Sequence, residues 1–186
     1  RARTRSRQSI SMHPSYWLKG LGALLQYLIG RRGVLSSNGA EAGGFIRSRP
    51  QEPIPDLQLH FGPMLYANHG RDIKTAMSGY GYIVMIYGLR PLSRGRIGLH
   101  SADPFTAPLI DPNYMAESAD VEQLVRGVRL VRKILAQPAF CLHHEVEMSP
   151  GSELQNDEDL AAWVRRSGES AYHPVGTCKM GVDPMA

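Results

Sequence analysis

Between residues 15 and 32, apolar side chains recur every three or four positions, which is the spacing of one stripe along an α-helix. The stripe consists of Leu18, Leu21, Leu25, Leu28 and Ile29. The apolar run is shorter than the ~20 residues that a membrane-spanning helix needs. We predict that this helix packs on the protein core. A helix that lies on a membrane surface or against a partner is the alternative.

Four later runs have the composition of β-strands, and they lie at residues 43–49, 56–65, 81–91 and 95–101. The second run alternates apolar with polar positions, which predicts a half-buried strand. The third run is almost wholly apolar, which predicts a central strand. The Pro-Leu-Ser-Arg-Gly turn after it predicts a hairpin to the fourth run, and the proline-rich residues 103–114 predict a loop.

Residues 1–11 alternate arginine with small residues, which predicts either an edge strand or a disordered arm, and we favour the edge strand. Towards the other end, Asp120 with Gln123 predicts the capped start of one helix, and Asn156 predicts the start of another. The order of helix, strands and helices predicts an α+β fold, in which helices flank a largely antiparallel sheet.

The composition is that of a globular protein, with 42% apolar and 20% charged residues among 186. The net charge of +4 comes from the first 32 residues, and the rest is near neutrality, so no nucleic-acid partner is expected. Two cysteines, Cys141 and Cys178, make no disulfide framework. We expect the protein in the cytoplasm or peripherally bound at the inner face of a membrane.

Motifs for common cofactors do not occur in this sequence. The seven histidines lack the spacing of metal ligands, so no metal site is predicted, and there is no Gly-x-Gly-x-x-Gly cradle for a nucleotide. His173 stands out because Pro174 fixes the backbone after it and Gly176 leaves room for another group. From the residues alone, His173 is either an ordinary turn residue, which is the simpler interpretation, or a base held against a bulky ligand.

The string YHPVGTCKMG at residues 172–181 resembles the C-terminal signature of the glucose–methanol–choline (GMC) oxidoreductases, the flavoproteins that oxidise alcohols. The resemblance covers nearly all of the chain and points to the choline dehydrogenase and bacterial alcohol dehydrogenase branch. Further matching strings are EAGGFIRSRP (41–50), PDLQLHF (55–61), LRPLSRGRIGLHSADP (89–104), APLIDPNYM (107–115) and GVRLVRKILAQPAF (127–140).

This resemblance implies that the chain is an internal to C-terminal fragment of a larger protein. It implies a substrate-binding domain over residues 1–170, followed over residues 171–186 by the start of a catalytic segment that returns to an FAD domain. The Rossmann-like core of that FAD domain and a second catalytic His or Asn would lie outside this chain. The isolated chain is therefore expected to be inactive and to bind FAD poorly.

The resemblance also implies an activity, in which FAD takes a hydride from the CH–OH group of a primary alcohol, either choline or an aliphatic alcohol. His173 occupies the position of the proton acceptor, a task that suits an imidazole near neutral pH. Glu41 falls where choline-using members place a carboxylate against the ammonium group, and His69 falls where they have another pocket histidine. The residues expected against the cofactor are Pro174, Val175, Gly176 and Thr177. The alternative is a non-catalytic binding module with a basic N-terminal arm, or an inactive flavoprotein remnant.

Overall fold

The computed structural model describes residues 1–7 and 9–184. Its strands are β1 (Ala2–Thr4), β2 (Ala42–Ile46), β3 (Leu57–Gly62), β4 (Gly81–Gly88), β5 (Arg96–Gly98), β6 (Leu109–Asp111) and β7 (His144–Glu147). Its α-helices are α1 (Trp17–Gly30), α2 (Ile73–Met77), α3 (Ser118–Leu135), α4 (Pro138–Cys141) and α5 (Asp157–Ser167). Single 3₁₀ turns occur at Pro14–Tyr16, Val34–Ser36 and Asn68–Gly70.

Within the described residues, five strands form one antiparallel sheet in the order β2-β3-β4-β1-β7, and β5 pairs with β6 separately. The alternation along β3 places Leu57 and Leu59 on one face, where both are buried. Gln58 and His60 point to the opposite face and are partly exposed. The structure therefore confirms the α+β class, the half-buried second run and the central position of β4.

Helix α3 packs across β4 and β3, and α5 packs on α3. Gly127 allows α3 to approach the sheet closely, because a Cβ at this position would lie 2.7 Å from Cγ2 of Ile86. The apolar core at this contact consists of Val121, Val125, Val128, Leu160 and Val164. Removing these side chains from water supplies much of the free energy that holds the helices on the sheet.

Helix α5 begins where the sequence predicts. Oδ1 of Asn156 accepts a hydrogen bond of 2.7 Å from the N–H of Asp159, which satisfies one of the free donors of the first turn. Three acidic residues in that turn complement the positive end of the helix dipole. The predicted start at Asn156 is therefore confirmed, and Leu160 and Val164 of this helix point into the core.

Asp120 does not cap α3, and the predicted capping box with Gln123 is wrong. The helix begins two residues earlier, and the Asp120 carboxylate accepts hydrogen bonds from the N–H groups of Leu92 (2.8 Å) and Ser93 (2.9 Å). The Gln123 amide donates to the carbonyl of Asp56 at 2.8 Å. These polar groups are needed to satisfy buried backbone of the neighbouring loops, and this contact is not visible in the local sequence.

Strand β1 lies inside the sheet, so the prediction of an edge strand is wrong. Ala2 pairs with Tyr82 of β4 on one side and with Glu147 of β7 on the other. Ala2 and Thr4 are buried whereas Arg3 is exposed, which is the alternation that the sequence shows. Alternation fixes which side chains point inward, but it does not determine how many neighbours a strand has.

The predicted hairpin between the third and fourth runs does not form. Strand β5 pairs with β6, which lies in the segment predicted to be a loop, through the registers Arg96–Asp111 and Gly98–Leu109. The hydrogen bonds that the N–H groups of Leu92 and Ser93 donate to Asp120 hold the connecting turn against α3, so the chain leaves the main sheet before β5 begins.

Helix α1 forms where the apolar stripe predicts, but its leucines are not in the core, so the core-packing prediction is wrong. Leu18 and Ile29 are 87% and 86% exposed, and Ala23 is the buried residue of the helix. The helix contacts chiefly the two turns that flank it, at residues 14–16 and 34–36. It also ends at Gly30, with Arg31 in the left-handed conformation, and not at Gly33. Of the helices in the described part of the chain, none has the length and apolarity to cross a membrane.

Candidate active site

The signature segment, residues 170–181, lies on the surface beside the end of α5. Every described residue from Tyr172 to Pro184 is exposed, and Val175 is 93% exposed. The described part of this segment contains no helix or strand, only a turn at residues 177–178. His173 and its neighbours therefore face open space, where another part of an enzyme or a ligand is able to reach them.

The start of the signature segment is nevertheless fixed. The N–H of Tyr172 donates a hydrogen bond of 3.0 Å to Oγ of Ser170, and that oxygen is 3.1 Å from the hydroxyl of Tyr114. Tyr172 has φ of 61°, which is uncommon for a side chain of this size. The residue directly before His173 is thus held in a defined and strained backbone conformation.

His69 contacts the signature segment through both of its ring nitrogens. Nδ1 shares a hydrogen bond with the hydroxyl of Tyr172, and Nε2 lies 3.1 Å from a carboxylate oxygen of Glu169. The two aromatic rings are 4.9 Å apart between centroids. His69 sits in the 3₁₀ turn between β3 and α2, where Asn68 and His69 both have positive φ, at 47° and 52°. Two predicted site residues are therefore close together, because His69 contacts Tyr172, the residue directly before His173.

Glu169 and Tyr172 are the members of this cluster that the sequence analysis did not identify as functional. Tyr172 is part of the signature string, but its partner is 103 positions away, so no local spacing indicates the contact. An imidazole between a phenol and a carboxylate can hold or relay a proton and fixes the orientation of both neighbours. The arrangement is suited to positioning the backbone that carries His173.

Glu41 lies in a different place, directly before β2. Its carboxylate accepts a hydrogen bond from the hydroxyl of Ser37, and it lines an open depression of about 650 Å³. The described residues that line this depression also include Ile10, Asn38 and Pro63, but neither His69 nor Tyr172 is among them. The contacts of this chain do not join Glu41 to the cluster at the signature segment.

The face of the sheet opposite α3 carries a second group of polar and aromatic side chains. The nitrogens of Gln58 and His60 come within 2.7 Å, and the His60 ring meets the ring of Tyr87 edge-on at 4.9 Å. The Tyr87 hydroxyl donates to Sδ of Met85 at 3.3 Å, and burial raises the pKa of Tyr87, with a smaller contribution from Tyr66. Partly buried polar groups of this kind were not recognised in the sequence, where only the alternation along β3 was visible.

FAD is the cofactor that the sequence resemblance implies, and the signature segment fits one wall of a flavin site. A Cβ at Gly176 would meet no heavy atom within 4 Å, and the φ of 103° at this glycine is one that other residues rarely adopt. Residues 174–177 thus present exposed backbone beside open space, next to the imidazole of His173. The sequence contains no Gly-x-Gly-x-x-Gly to bind the pyrophosphate, so most of such a site would be formed by other residues of the full-length protein.

A metal centre is not indicated in the part of the chain that the structure describes, since no group of three or more His, Cys, Asp or Glu side chains there could hold an ion. Cys141 and Cys178 are both free and exposed. The side chains that meet at the start of the signature segment are an imidazole, a carboxylate and a phenol.

Comparison with curated proteins identifies relatives over almost the whole chain. The alcohol dehydrogenase [acceptor] of Pseudomonas putida is 44% identical over 179 residues, which are 96% of this chain and 32% of that protein. The oxygen-dependent choline dehydrogenase of Chromohalobacter salexigens is 41% identical over 181 residues, which are 97% of this chain and 32% of that protein. The chain thus spans about a third of the length of these relatives.

Solved structures show the same fold at low sequence identity. A formate oxidase superposes with a TM-score of 0.75 at 21% identity, over 95% of this chain and 35% of that one. An FAD-dependent oxidoreductase from Chaetomium thermophilum superposes with a TM-score of 0.66 at 16% identity, over 89% of this chain and 34% of that one. These likenesses establish the fold of this chain. Two of the solved structures are described as FAD-containing or FAD-dependent, in agreement with the cofactor that the sequence resemblance implies.

The sequence pattern described as GMC oxidoreductase, in its C-terminal part, matches residues 91–186, which is more than half of the chain. The match includes α3, α5 and the whole signature segment, so it covers the part of the chain that carries His173 but not the turn with His69. The resemblance found in the signature string is thereby confirmed. The chain belongs to the GMC oxidoreductase family.

Proposed function

We propose that the full-length protein oxidises the CH–OH group of a primary alcohol in an FAD-dependent reaction. This chain supplies the substrate-binding domain, residues 1–170, and the start of the catalytic segment, residues 171–186. The observation that carries the proposal is the family match over residues 91–186, which includes the exposed signature segment with His173 near its start. The isolated chain is expected to be inactive, because it holds only part of the cofactor site.

His173 is the proposed catalytic base. FAD, when bound, accepts the hydride that leaves the alcohol carbon. The hydroxyl proton of the alcohol has to leave as well, and the exposed imidazole of His173 accepts it near neutral pH. Residues 174–177 would hold the cofactor along their open backbone, and Gly176 would leave the space that a bulky ring system requires.

His69 and Glu169 support this base indirectly. Their contacts with each other and with Tyr172 fix the residue that precedes His173. A base that is held in place loses less freedom when the substrate binds, which lowers the activation free energy. His69 is also a proposed pocket residue for the alcohol, since its imidazole contacts Tyr172, which directly precedes the proposed base.

The proposed substrate is choline or an aliphatic primary alcohol. The relatives reported above are an alcohol dehydrogenase and a choline dehydrogenase. By sequence resemblance, Glu41 falls where choline-using members of the family place a carboxylate. A carboxylate at position 41 would offset the charge of a quaternary ammonium group, and aromatic faces would add to the attraction. For a neutral alcohol the same carboxylate has no charge to meet, so Glu41 separates the two substrate classes.

The test is anaerobic flavin reduction by the full-length protein, measured by stopped flow. His173→Ala should lower the rate by about 10²–10⁴-fold, the range for loss of a general base, while the flavin content stays unchanged. The effect should shrink as pH rises, because the substrate hydroxyl then needs less help. His100→Ala, at another exposed histidine, is the matched control and should behave like the wild type.

Two outcomes would contradict the proposal. If His173 is only a turn residue, His173→Ala should reduce its flavin within about threefold of the wild-type rate, well short of the loss expected for a base. If the protein is a non-catalytic binding module, the wild type itself should fail to reduce bound flavin with any primary alcohol.

A further inference from the structure

Helix α1 presents one face to the protein and the opposite face to solvent. Its partly or fully buried positions are Gly20, Ala23 and Tyr27, which recur at helical spacing. The outward side chains are Trp17, Leu18, Leu21, Leu24, Leu25, Leu28 and Ile29, all of them exposed. At 100° per residue these seven side chains occupy an arc of about 140°, centred opposite Ala23. We name this surface the α1 face.

The α1 face continues into the segment that precedes the helix. An open groove of about 500 Å³ lies along the start of α1 and is lined mostly by apolar groups, including Met12, Tyr16 and Trp17. The aromatic side chains at this end are of the type that settles at a boundary between apolar and aqueous surroundings. The apolar surface is therefore contiguous and not a set of scattered side chains, which is the pattern that marks an interaction site.

The charged side chains on α1 and directly after it are all basic. Residues 1–40 contain seven basic residues and no acidic residue, and the first carboxylate of the chain is Glu41. Residues 41–186, by contrast, carry 14 basic and 17 acidic residues. Lys19 lies near the start of the helix, where its Nζ donates to the carbonyl of Arg7 at 3.1 Å, and Arg31 and Arg32 follow its end. Basic residues thus lie near both ends of the helix.

We propose that the α1 face docks on the surface of a membrane that contains anionic lipids. An apolar arc that enters the acyl region, with lysine and arginine at headgroup level, is the arrangement of an in-plane amphipathic helix. With 14 residues, α1 is about 21 Å long, which suits a helix that lies along the surface and not across it. A protein partner would need apolar surface to match the arc, but it would not by itself account for a segment of 40 residues without a carboxylate.

The experiment is flotation of the full-length protein with lipid vesicles, either of phosphatidylcholine alone or of equal parts of phosphatidylcholine and phosphatidylglycerol. Binding is expected to the anionic vesicles and to fall as salt is raised, because salt screens the attraction between the basic residues and the headgroups. Leu21→Ser/Leu25→Ser should weaken partitioning by about tenfold per leucine. Arg31→Gln/Arg32→Gln should weaken it by about fivefold per charge.

Matched controls use similar residues outside the α1 face. Leu99→Ser/Phe105→Ser removes two exposed apolar side chains from the region around β5, and Arg96→Gln/Arg166→Gln removes two exposed charges. Both double variants should bind the anionic vesicles like the wild type. Each variant is also compared with the wild type for thermal unfolding, flavin content and elution volume.

The proposal is wrong if the wild type does not float with anionic vesicles, or if the α1 variants float as well as the controls. It is also wrong if Leu21→Ser/Leu25→Ser lowers the unfolding temperature or the flavin content, because the α1 face is then covered by another part of the same protein. A change of elution volume in that variant would assign the face to a second copy of the chain.

Discussion

The imidazole of His69 and the hydroxyl of Tyr172 share a hydrogen bond, although the two residues are 103 positions apart in the chain. The bond joins the turn between β3 and α2 to the residue that precedes His173. Glu169 contacts the other nitrogen of the same ring, at 3.1 Å. The catalytic segment of the proposed enzyme is thus attached to the substrate-binding domain at one defined point.

The phenol of Tyr172 is expected to contribute to turnover by holding the signature segment in place. In the full-length protein, Tyr172→Phe removes the hydrogen bond to His69 and keeps the ring, so flavin reduction should slow by about tenfold while flavin content is retained. The KM for the alcohol should change less than kcat, because the effect falls on the position of the base. Tyr27→Phe, on α1, serves as the control. A Tyr172→Phe protein with the wild-type rate of flavin reduction would exclude the positioning role.

Glu41 is expected to distinguish choline from neutral alcohols. Glu41→Gln keeps the size of the side chain and removes its charge. The attraction between the carboxylate and the ammonium group of choline is then lost, so kcat/KM for choline should fall by about 10-fold or more. The value for a medium-chain aliphatic alcohol should stay close to that of the wild type. Ser37→Ala, which removes the hydroxyl that donates to Glu41, is a useful companion variant. Equal losses for both substrates would remove Glu41 from the pocket.

Close packing of α3 on the sheet predicts a large difference between two glycine substitutions. Gly127→Ala would place a Cβ 2.7 Å from Ile86 and 3.4 Å from Leu57, which is fully buried, so about 1–3 kcal/mol of stability should be lost. Gly22→Ala, on α1, meets nothing within 4 Å and should be neutral or stabilise by up to about 1 kcal/mol. Thermal or urea unfolding of the two variants measures the difference. Similar effects at both positions would show that α3 does not pack in the way described.

Two buried aspartates are expected to make the protein sensitive to acid. Burial raises the pKa of the Asp120 carboxyl, but the hydrogen bonds from Ser93 and Leu92 and the charge of Arg94 together outweigh it, and the pKa lies below its usual value. The pKa of Asp56 is lowered in the same way, since the bonds from Ser48 and Gln123 outweigh its burial.

A lowered pKa in the folded state stabilises the protein above the ordinary aspartate pKa of about 3.9, and this stabilisation is lost as the pH falls through the folded-state value. Asp120→Asn should therefore lose about 1–3 kcal/mol at neutral pH and show a shallower decline below about pH 4. Urea unfolding across the acid range measures both quantities, with Asp103→Asn in an exposed loop as the control. An unchanged acid slope in Asp120→Asn would show that this carboxylate is not the group responsible.

Much of the fold could be predicted because it depends on local periodicity. The helix at the apolar stripe of α1, the cap at Asn156 and the alternation along β3 follow from neighbours within a few positions, and the structure confirms them. The position of β1 and the pairing of β5 with β6 depend on contacts between distant segments. Asp120 shows the reason most clearly, because its sequence context is that of a helix cap whereas the backbone groups that donate to it lie 27 and 28 positions away.

The candidate site, like the fold, could be predicted where it depends on a local string of residues but not where it depends on distant contacts. The signature segment and His173 were recognisable as a continuous string, and the family match confirms the string without testing the role of the histidine. Glu169 and Tyr172 became candidates only when the structure placed His69 between them. The exposure of the α1 face could not be predicted either. An apolar stripe on a helix does not distinguish a face that packs on the core of the same chain from one that binds a membrane or a partner.

The position of β1 between β4 and β7 has a consequence for synthesis on the ribosome. Residues 2–4 leave the ribosome about 140 residues before residues 144–147, which form one of the two strands that border them. A nascent chain that has not reached residue 147 must therefore leave a sheet edge of β1, or of β4 if β1 has not docked, without its hydrogen-bonding neighbour. Such an edge is prone to pair with other chains. Chaperone protection would therefore matter most while synthesis has passed β4 but has not yet reached β7.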